Sequence, residues 1–174
     1  MRNFLLFIVV IGTLSFTISN KVSESSEKTR ISAGKLSPQF LFENTEGRLI
    51  GSSNFMGKFI YIDIWATQCE PCKEESTVIE NLKKEYNKNI EFVSISVDYY
   101  ADKDKWKKHI KGNKLTGNQL ITDKGWYSGF IRAYNIKTIP RYILIDPNGM
   151  IVDTHAPRPS HKKLRKLFKK LAIQ

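Results

Sequence analysis

The chain has few residues that could bind a metal or crosslink the fold. Its 174 residues include two cysteines and three histidines. The histidines, His109, His155 and His161, lack the spacing of zinc ligands, so we predict no metal site and no cofactor. A disulfide between Cys69 and Cys72 would close a very short loop and remove little entropy from the unfolded chain, which argues against a purely structural bridge.

Long apolar runs are also scarce. One extends from Phe4 to Ile18 behind a single arginine, which is shorter than the roughly 20 residues of a membrane-spanning helix. A charged start followed by an apolar stretch is the layout of a secretory signal. We expect residues 1–19 to be a signal peptide or N-terminal membrane anchor, residues 20–34 a flexible polar linker, and residues 35–174 the folded domain. No cysteine lies near the end of the apolar run, which excludes lipid attachment there.

Acidic residues are outnumbered by basic ones, 17 against 28. The excess is concentrated, because residues 160–174 carry six Lys or Arg and no acid, and residues 102–114 carry six Lys against two Asp. Apolar residues at helical spacing from Leu164 to Leu171 predict a helix that keeps its lysines in water. Attraction to anionic lipid or acidic partners is the alternative. The chain has no nucleic-acid recognition motif, and we expect no binding to nucleic acid.

The apolar pattern predicts two strands that are buried on both faces of a sheet, each followed by a helix. The strands are "KFIYIDIW" and "IEFVSISVD". The first helix begins near Pro71, since a residue without an N–H suits the first turn, and the second covers "DKDKWKKHI". We interpret "KGNKLTGNQ" as a loop.

Two hairpins and two further helices complete the predicted order. The hairpins lie in "PQFLFENTEGRLIG" and "RYILIDPNGMIVDTHAP". "KGWYSGFIRAYNI" predicts an irregular helix, and Ser160 is expected to cap the last helix. This alternation predicts an α/β fold with a central mixed β-sheet flanked by helices.

The two cysteines are placed for redox chemistry, at the junction of a buried strand and a helix. The helix N-terminus offers positive potential and free N–H groups to a thiolate. Cys69 is expected at the exposed mouth of the turn and Cys72 one helical turn further on, shielded. The sequence therefore predicts a redox-active disulfide in which Cys69 attacks and Cys72 resolves the mixed disulfide.

Three acids are candidates for tuning this chemistry. Glu75 shares the apolar face of its helix and would be partly desolvated near Cys72, while Asp63 interrupts a buried strand beneath the cysteine turn. Either could exchange a proton with Cys72. Glu70, beside Cys69, would disfavour the thiolate and favour a reductase, unless solvent screens it.

A proline directly before a buried strand is a third candidate part of the redox site, after the cysteines and the acids. We expect the Ile139–Pro140 bond to be cis and to face Cys69, so that the backbone of Ile139 can pair with an extended substrate; a trans edge proline is the alternative. Pro140 thus joins the catalytic candidates. The residues predicted to contact substrate are Trp65, Gln68, Glu70, Pro71 and Ile139.

Together, the leader, "FIYIDIWATQCEPCKEE", "ISVD", "IKTIPRYILIDPNG" and "APRPS" resemble the TlpA/ResA-like branch of the thioredoxin superfamily. Its members are extracytoplasmic thiol-disulfide oxidoreductases of bacteria. The resemblance implies a thioredoxin-like fold with an N-terminal β-hairpin extension and an inserted strand-helix segment, and an active dithiol at Cys69 and Cys72. Glu75 matches an acid of that family, and Asp63 matches the buried aspartate of thioredoxin. Gln68 departs from the family's usual tryptophan, which leaves the substrate open.

Cys-Glu-Pro-Cys also resembles the active site of reductases that serve cytochrome c maturation. The expected function is therefore an extracytoplasmic reductase of protein disulfides, regenerated by a membrane electron donor and acting as a monomer. Two alternatives stay open: a disulfide oxidase or isomerase, and a thiol-based chaperone for copper or haem apoprotein. A measured reduction potential distinguishes a reductase from an oxidase or isomerase. Stoichiometric retention of metal would indicate the chaperone.

Overall fold

The computed structural model describes residues 31–174. The predictions for residues 1–19 and for most of the linker lie outside this part of the chain. Within residues 31–174 no helix combines the length and apolar character needed to cross a bilayer.

Within residues 31–174, seven strands form one mixed sheet in the order β2-β1-β5-β4-β3-β6-β7. β3 and β4 run parallel at its centre, and β6 joins β3 antiparallel. The strands are β1 (Leu41–Asn44), β2 (Leu49–Gly51), β3 (Phe59–Trp65), β4 (Ile90–Ser96), β5 (Asn118–Ile121), β6 (Arg141–Ile145) and β7 (Ile151–Asp153). The predicted α/β fold with a central mixed sheet is confirmed.

Apolar cores cover both faces of the central strands, which explains their continuous hydrophobic runs. In the described part of the chain, four α-helices supply most of the cover: α1 (Glu70–Glu85), α2 (Lys103–Gly112), α3 (Gly129–Ala133) and α4 (Lys162–Lys170). α1 and α4 pack against one face through residues such as Leu82 and Phe168. α3 packs on the other with the phenylalanines of the N-terminal hairpin.

The structure departs from the sequence-based expectations at three places. Asn118–Ile121, half of which we interpreted as loop, is strand β5, which lies between β4 and β1. The irregular helix is a 3-10 turn, Gly125–Tyr127, followed by the short α3. The cap of α4 is His161, whose ring accepts from the amide of Lys163. Ser160 has another partner, described below.

Both predicted hairpins are present. β1 and β2 pair around Gly47, and β6 and β7 pair around Gly149. Both glycines have positive φ, 85° and 80°, which is the conformation that glycine adopts without steric cost. The N-terminal hairpin extends the sheet through β5.

Candidate redox site

Cys69 and Cys72 form a disulfide at the start of α1. Cys69 is the N-cap residue: its carbonyl accepts from the amide of Lys73 at 3.2 Å, and its Sγ accepts from the amide of Cys72 at 3.3 Å. Cys69 is half-buried, whereas Cys72, in the first turn of α1, is buried and only 4% exposed. This asymmetry is the one expected from the sequence, with one sulfur at the mouth and the other behind it.

Asp98 holds the loop that leads into the disulfide, and sequence reasoning did not single it out. Its carboxylate accepts from the amide of Thr67 at 3.0 Å, from the Thr67 hydroxyl at 2.8 Å and from the Ser96 hydroxyl at 2.6 Å. The end of β4 thus fixes the turn after β3. The only signal in the sequence was the aspartate that closes the second apolar run.

The Ile139–Pro140 peptide bond is cis, as the sequence predicted. The side chain of Ile139 packs on the same apolar cluster as Cys69 and Trp65, so the loop that carries Pro140 lies beside the disulfide. Among the described residues, neither the amide nor the carbonyl of Ile139 has a hydrogen-bond partner. That backbone is free to pair with an extended peptide.

The other residues predicted to contact substrate divide by exposure. Gln68, Glu70 and Pro71 are exposed around Cys69. Trp65 is 4% exposed and lies below them, with its ring against that of His109, centroids 5.4 Å apart. Trp65 therefore supports the site from within, and only the first three can meet a partner directly.

Asp63 is buried in β3, between Ser94 of β4 and Tyr142 of β6 in the strand register. Burial raises its pKa to about 7, opposed by the charge of Lys83 and by Ser94 and reinforced by the charge of Glu75. The carboxyl therefore titrates in the neutral range, where it can both accept and return a proton.

A small cavity connects Asp63 with Cys72. Its volume is about 10 Å³, room for roughly one water molecule. Polar atoms in its wall without a partner among the described residues are Trp65 Nε1 and Gln119 Oε1. Asp63 and Cys72 both line it, so a single bridging molecule would link carboxyl and sulfur.

Glu75 is equally buried, at 7% exposed, but faces a different partner. Its Oε2 accepts from the amide of Ser160 at 2.9 Å, and its Oε1 from the Ser160 hydroxyl at 2.7 Å. Glu75 does not line the cavity below Cys72. Both of its oxygens are thus engaged by the segment before α4.

Glu70, by contrast, is in solvent. Its side chain is 77% exposed and its Oε1 lies 2.7 Å from Lys73 Nζ. Water and the lysine both weaken its field at Cys69, so the sequence-based argument that Glu70 favours a reductase loses most of its force. Within residues 31–174 no group of three or more His, Cys, Asp or Glu side chains could hold a metal ion.

A thioredoxin-type sheet with a disulfide at the N-terminus of a helix and a cis proline beside it defines a class of redox proteins. Comparison with known proteins agrees: a family model described as thioredoxin-like matches residues 57–151. ResA, a thiol-disulfide oxidoreductase of Bacillus subtilis, is 30% identical over 149 residues, covering 84% of this chain and 79% of ResA. ResA of Bacillus cereus is 27% identical over 98% of both chains.

A solved structure shows the same relationship. A crystal structure described as a thiol-disulfide oxidoreductase of Bacteroides vulgatus has a TM-score of 0.73 and 33% identity, covering 82% of this chain and 98% of that one. The chain belongs to the thioredoxin-like family, in its TlpA/ResA-like branch, and is a thiol-disulfide oxidoreductase.

Proposed function

We propose that the protein is an extracytoplasmic reductase of protein disulfides. The observation that carries the mechanism is the asymmetry of the sulfurs, with Cys69 half-exposed at the helix N-terminus and Cys72 buried behind it. The apolar leader supports export. Cytochrome c apoproteins are the proposed substrates, because Cys-Glu-Pro-Cys resembles the active site of reductases that serve cytochrome c maturation.

The reduced enzyme supplies both electrons. The Cys69 thiolate attacks one sulfur of the substrate disulfide; a mixed disulfide forms and the other substrate sulfur leaves as a thiolate, which takes a proton from water. Cys72 then loses its proton and attacks Cys69. The second substrate sulfur departs, leaving a reduced partner and an enzyme disulfide, which an electron donor must reduce with two electrons.

Asp63 is the proposed acceptor of the Cys72 proton, because both groups line the same small cavity. Transfer through one water in this cavity requires an ionised Asp63, so resolution should accelerate as pH rises through about 7. Glu75, held by Ser160, acts on this step only through its charge.

Asp63→Asn should slow release of the second substrate thiol by about 100-fold and abolish that pH dependence. Stopped-flow detection of thiol release measures both.

Trapping tests the assignment of the two sulfurs. Cys72→Ser, produced in the native host, should hold substrates in mixed disulfides at Cys69, while Cys69→Ser should hold none. Mass spectrometry of the captured partners identifies them. Capture of apocytochrome supports the maturation role, and equal capture by both variants contradicts the proposed order of attack.

The direction of disulfide exchange and the cellular compartment of the protein need separate measurements. A reductase should have a potential near the reducing end of the range from about −270 to −120 mV, whereas a value near −120 mV would indicate an oxidase. Alkaline phosphatase fused after Gln174 of the full chain should be active, since that enzyme works only outside the cytoplasm. An inactive but intact fusion would contradict export.

A further inference from the structure

A basic cleft opens beside the redox site, between α1 and the end of α2 with the loop that follows. Its volume is about 560 Å³. It begins at Lys73, whose amide is bonded to the carbonyl of Cys69 and which therefore lies one helical turn, about 5.4 Å, from it. Ser76 lines both this cleft and the cavity under Cys72. The cleft is thus adjacent to the small cavity that Cys72 lines.

The cleft carries a net positive charge. Among residues 31–174, four lysines line it, Lys73, Lys83, Lys84 and Lys114, against a single acid, Glu80. Lys73 is paired with Glu70, which lies outside the cleft lining. Glu80 is already engaged, because Lys83 Nζ lies 2.6 Å from it and the Thr116 hydroxyl donates to it. Within residues 31–174 Lys84 and Lys114 form no ion pair, although both border the opening. The cleft therefore carries positive charge that the described residues do not neutralise.

We propose that this cleft binds acidic side chains that flank the disulfide of the protein substrate. The inference rests on the proposed reductase function and names the class of substrate that Cys69 meets. Lys84 is eleven residues beyond Lys73 on α1, or about 16 Å along the axis. An extended peptide covers that distance in about five residues. Lys73 lies one helical turn from Cys69 and Lys84 about 22 Å from it along the axis, so acids from about two to about seven residues from the attacked cysteine are within reach of the lysines.

Charge complementarity of this kind acts mainly on encounter and selection. Neutral lining residues such as Asn81 and Asn113 add hydrogen-bonding groups without opposing charge. The preference should weaken at about 1 M salt, where the screening length is about 3 Å. Neutral substrates should still react, because the chemistry resides at the sulfurs.

The test compares two disulfide peptides of the same length, one with four Glu and the other with four Gln near the disulfide. Single-turnover oxidation of the reduced enzyme gives a rate constant for each. We expect the Glu peptide to react about fivefold faster at low salt. Lys84→Glu with Lys114→Glu should remove or invert that ratio. The matched control, Lys162→Glu with Lys166→Glu on α4, changes net charge equally and should preserve it.

A second readout separates this inference from the reductase assignment. A Glu peptide with serine in place of cysteine should shift the amide resonances of residues around Lys84 and Lys114 in the NMR spectrum of the enzyme. Equal rates for both peptides, or shifts absent from the cleft, would overturn the acidic-substrate proposal even if both peptides are reduced. Failure to reduce either peptide contradicts the reductase function, and the NMR shifts then decide on the cleft.

Discussion

The two sides of the disulfide place charge in opposite environments. Beneath it, Asp63 and Glu75 are nearly inaccessible to water, at 6% and 7% exposed. Above it, Glu70 is 77% exposed and paired with Lys73. We therefore expect a carboxylate to have a larger electrostatic effect beneath the disulfide than above it, because burial removes the solvent that screens its charge. Sequence proximity to the cysteines is a poor guide to influence on them.

The largest expected effect follows from Asp63. Its folded-state pKa, about 7, is above the ordinary 3.8, so ionisation costs the native state. That cost is absent below about pH 4, grows between pH 4 and 7, and is complete above pH 7. Asp63→Asn should therefore stabilise the oxidised protein by about 4 kcal/mol at pH 8 and leave it nearly unchanged at pH 4. Denaturant unfolding at both pH values measures this.

Glu70→Gln serves as the matched control for that experiment, since its carboxylate is in solvent. Because the side chain is 77% exposed, this substitution should change the unfolding free energy little. A gain for Asp63→Asn that is the same at pH 4 and pH 8 would show that desolvation does not act on Asp63 as described.

An intermediate effect is expected at Glu75. Glu75→Gln removes the charge and places an amide donor near the two groups of Ser160 that now donate to it. We expect a loss of about 2 kcal/mol in unfolding free energy. Ser160→Ala removes only the hydroxyl and should cost about half as much. A double-mutant cycle gives the coupling, and additive losses would contradict the proposed contact.

The smallest effect belongs to Glu70. Removing its charge should favour the Cys69 thiolate slightly and raise the reduction potential by at most about 20 mV. Lys73→Gln should move the potential the other way by a similar amount. Equilibration with glutathione buffers resolves these shifts. A change for Glu70→Gln well beyond about 60 mV would mean that solvent does not screen this position.

Local sequence patterns predicted those strands and helices whose hydrophobic pattern matches their burial in the fold. β3 and β4 are visible as continuous apolar runs, and Asp63 is conspicuous because it interrupts one of them. β5 was missed because Asn118 and Gln119 follow Gly117 and have the composition of a loop. Its strand conformation depends on β4 and β1 on either side, which no local pattern reports.

The candidate redox site was likewise predictable only where it depends on local sequence. The cysteines and the burial of Glu75 follow from spacing and neighbours, whereas spacing alone left both the cis and the trans form open at Pro140. The contact between Glu75 and Ser160 joins residues 85 positions apart, and the basic cleft joins two helices, so neither leaves a mark in a short window. Ser160 looked like a helix cap because the local chemistry of a cap and of a tertiary contact is the same.

The position of β5 has a consequence for biosynthesis. Among the residues that the structure describes, the N-terminal hairpin, residues 41–51, pairs in the sheet only with residues 118–121. A chain that emerges from a ribosome or translocon in order must therefore carry an unanchored hairpin until about two-thirds of its length has appeared. Pairing between segments so far apart in the sequence slows completion of the sheet. Until it is complete, an unpaired strand edge is exposed, to which chaperones can bind.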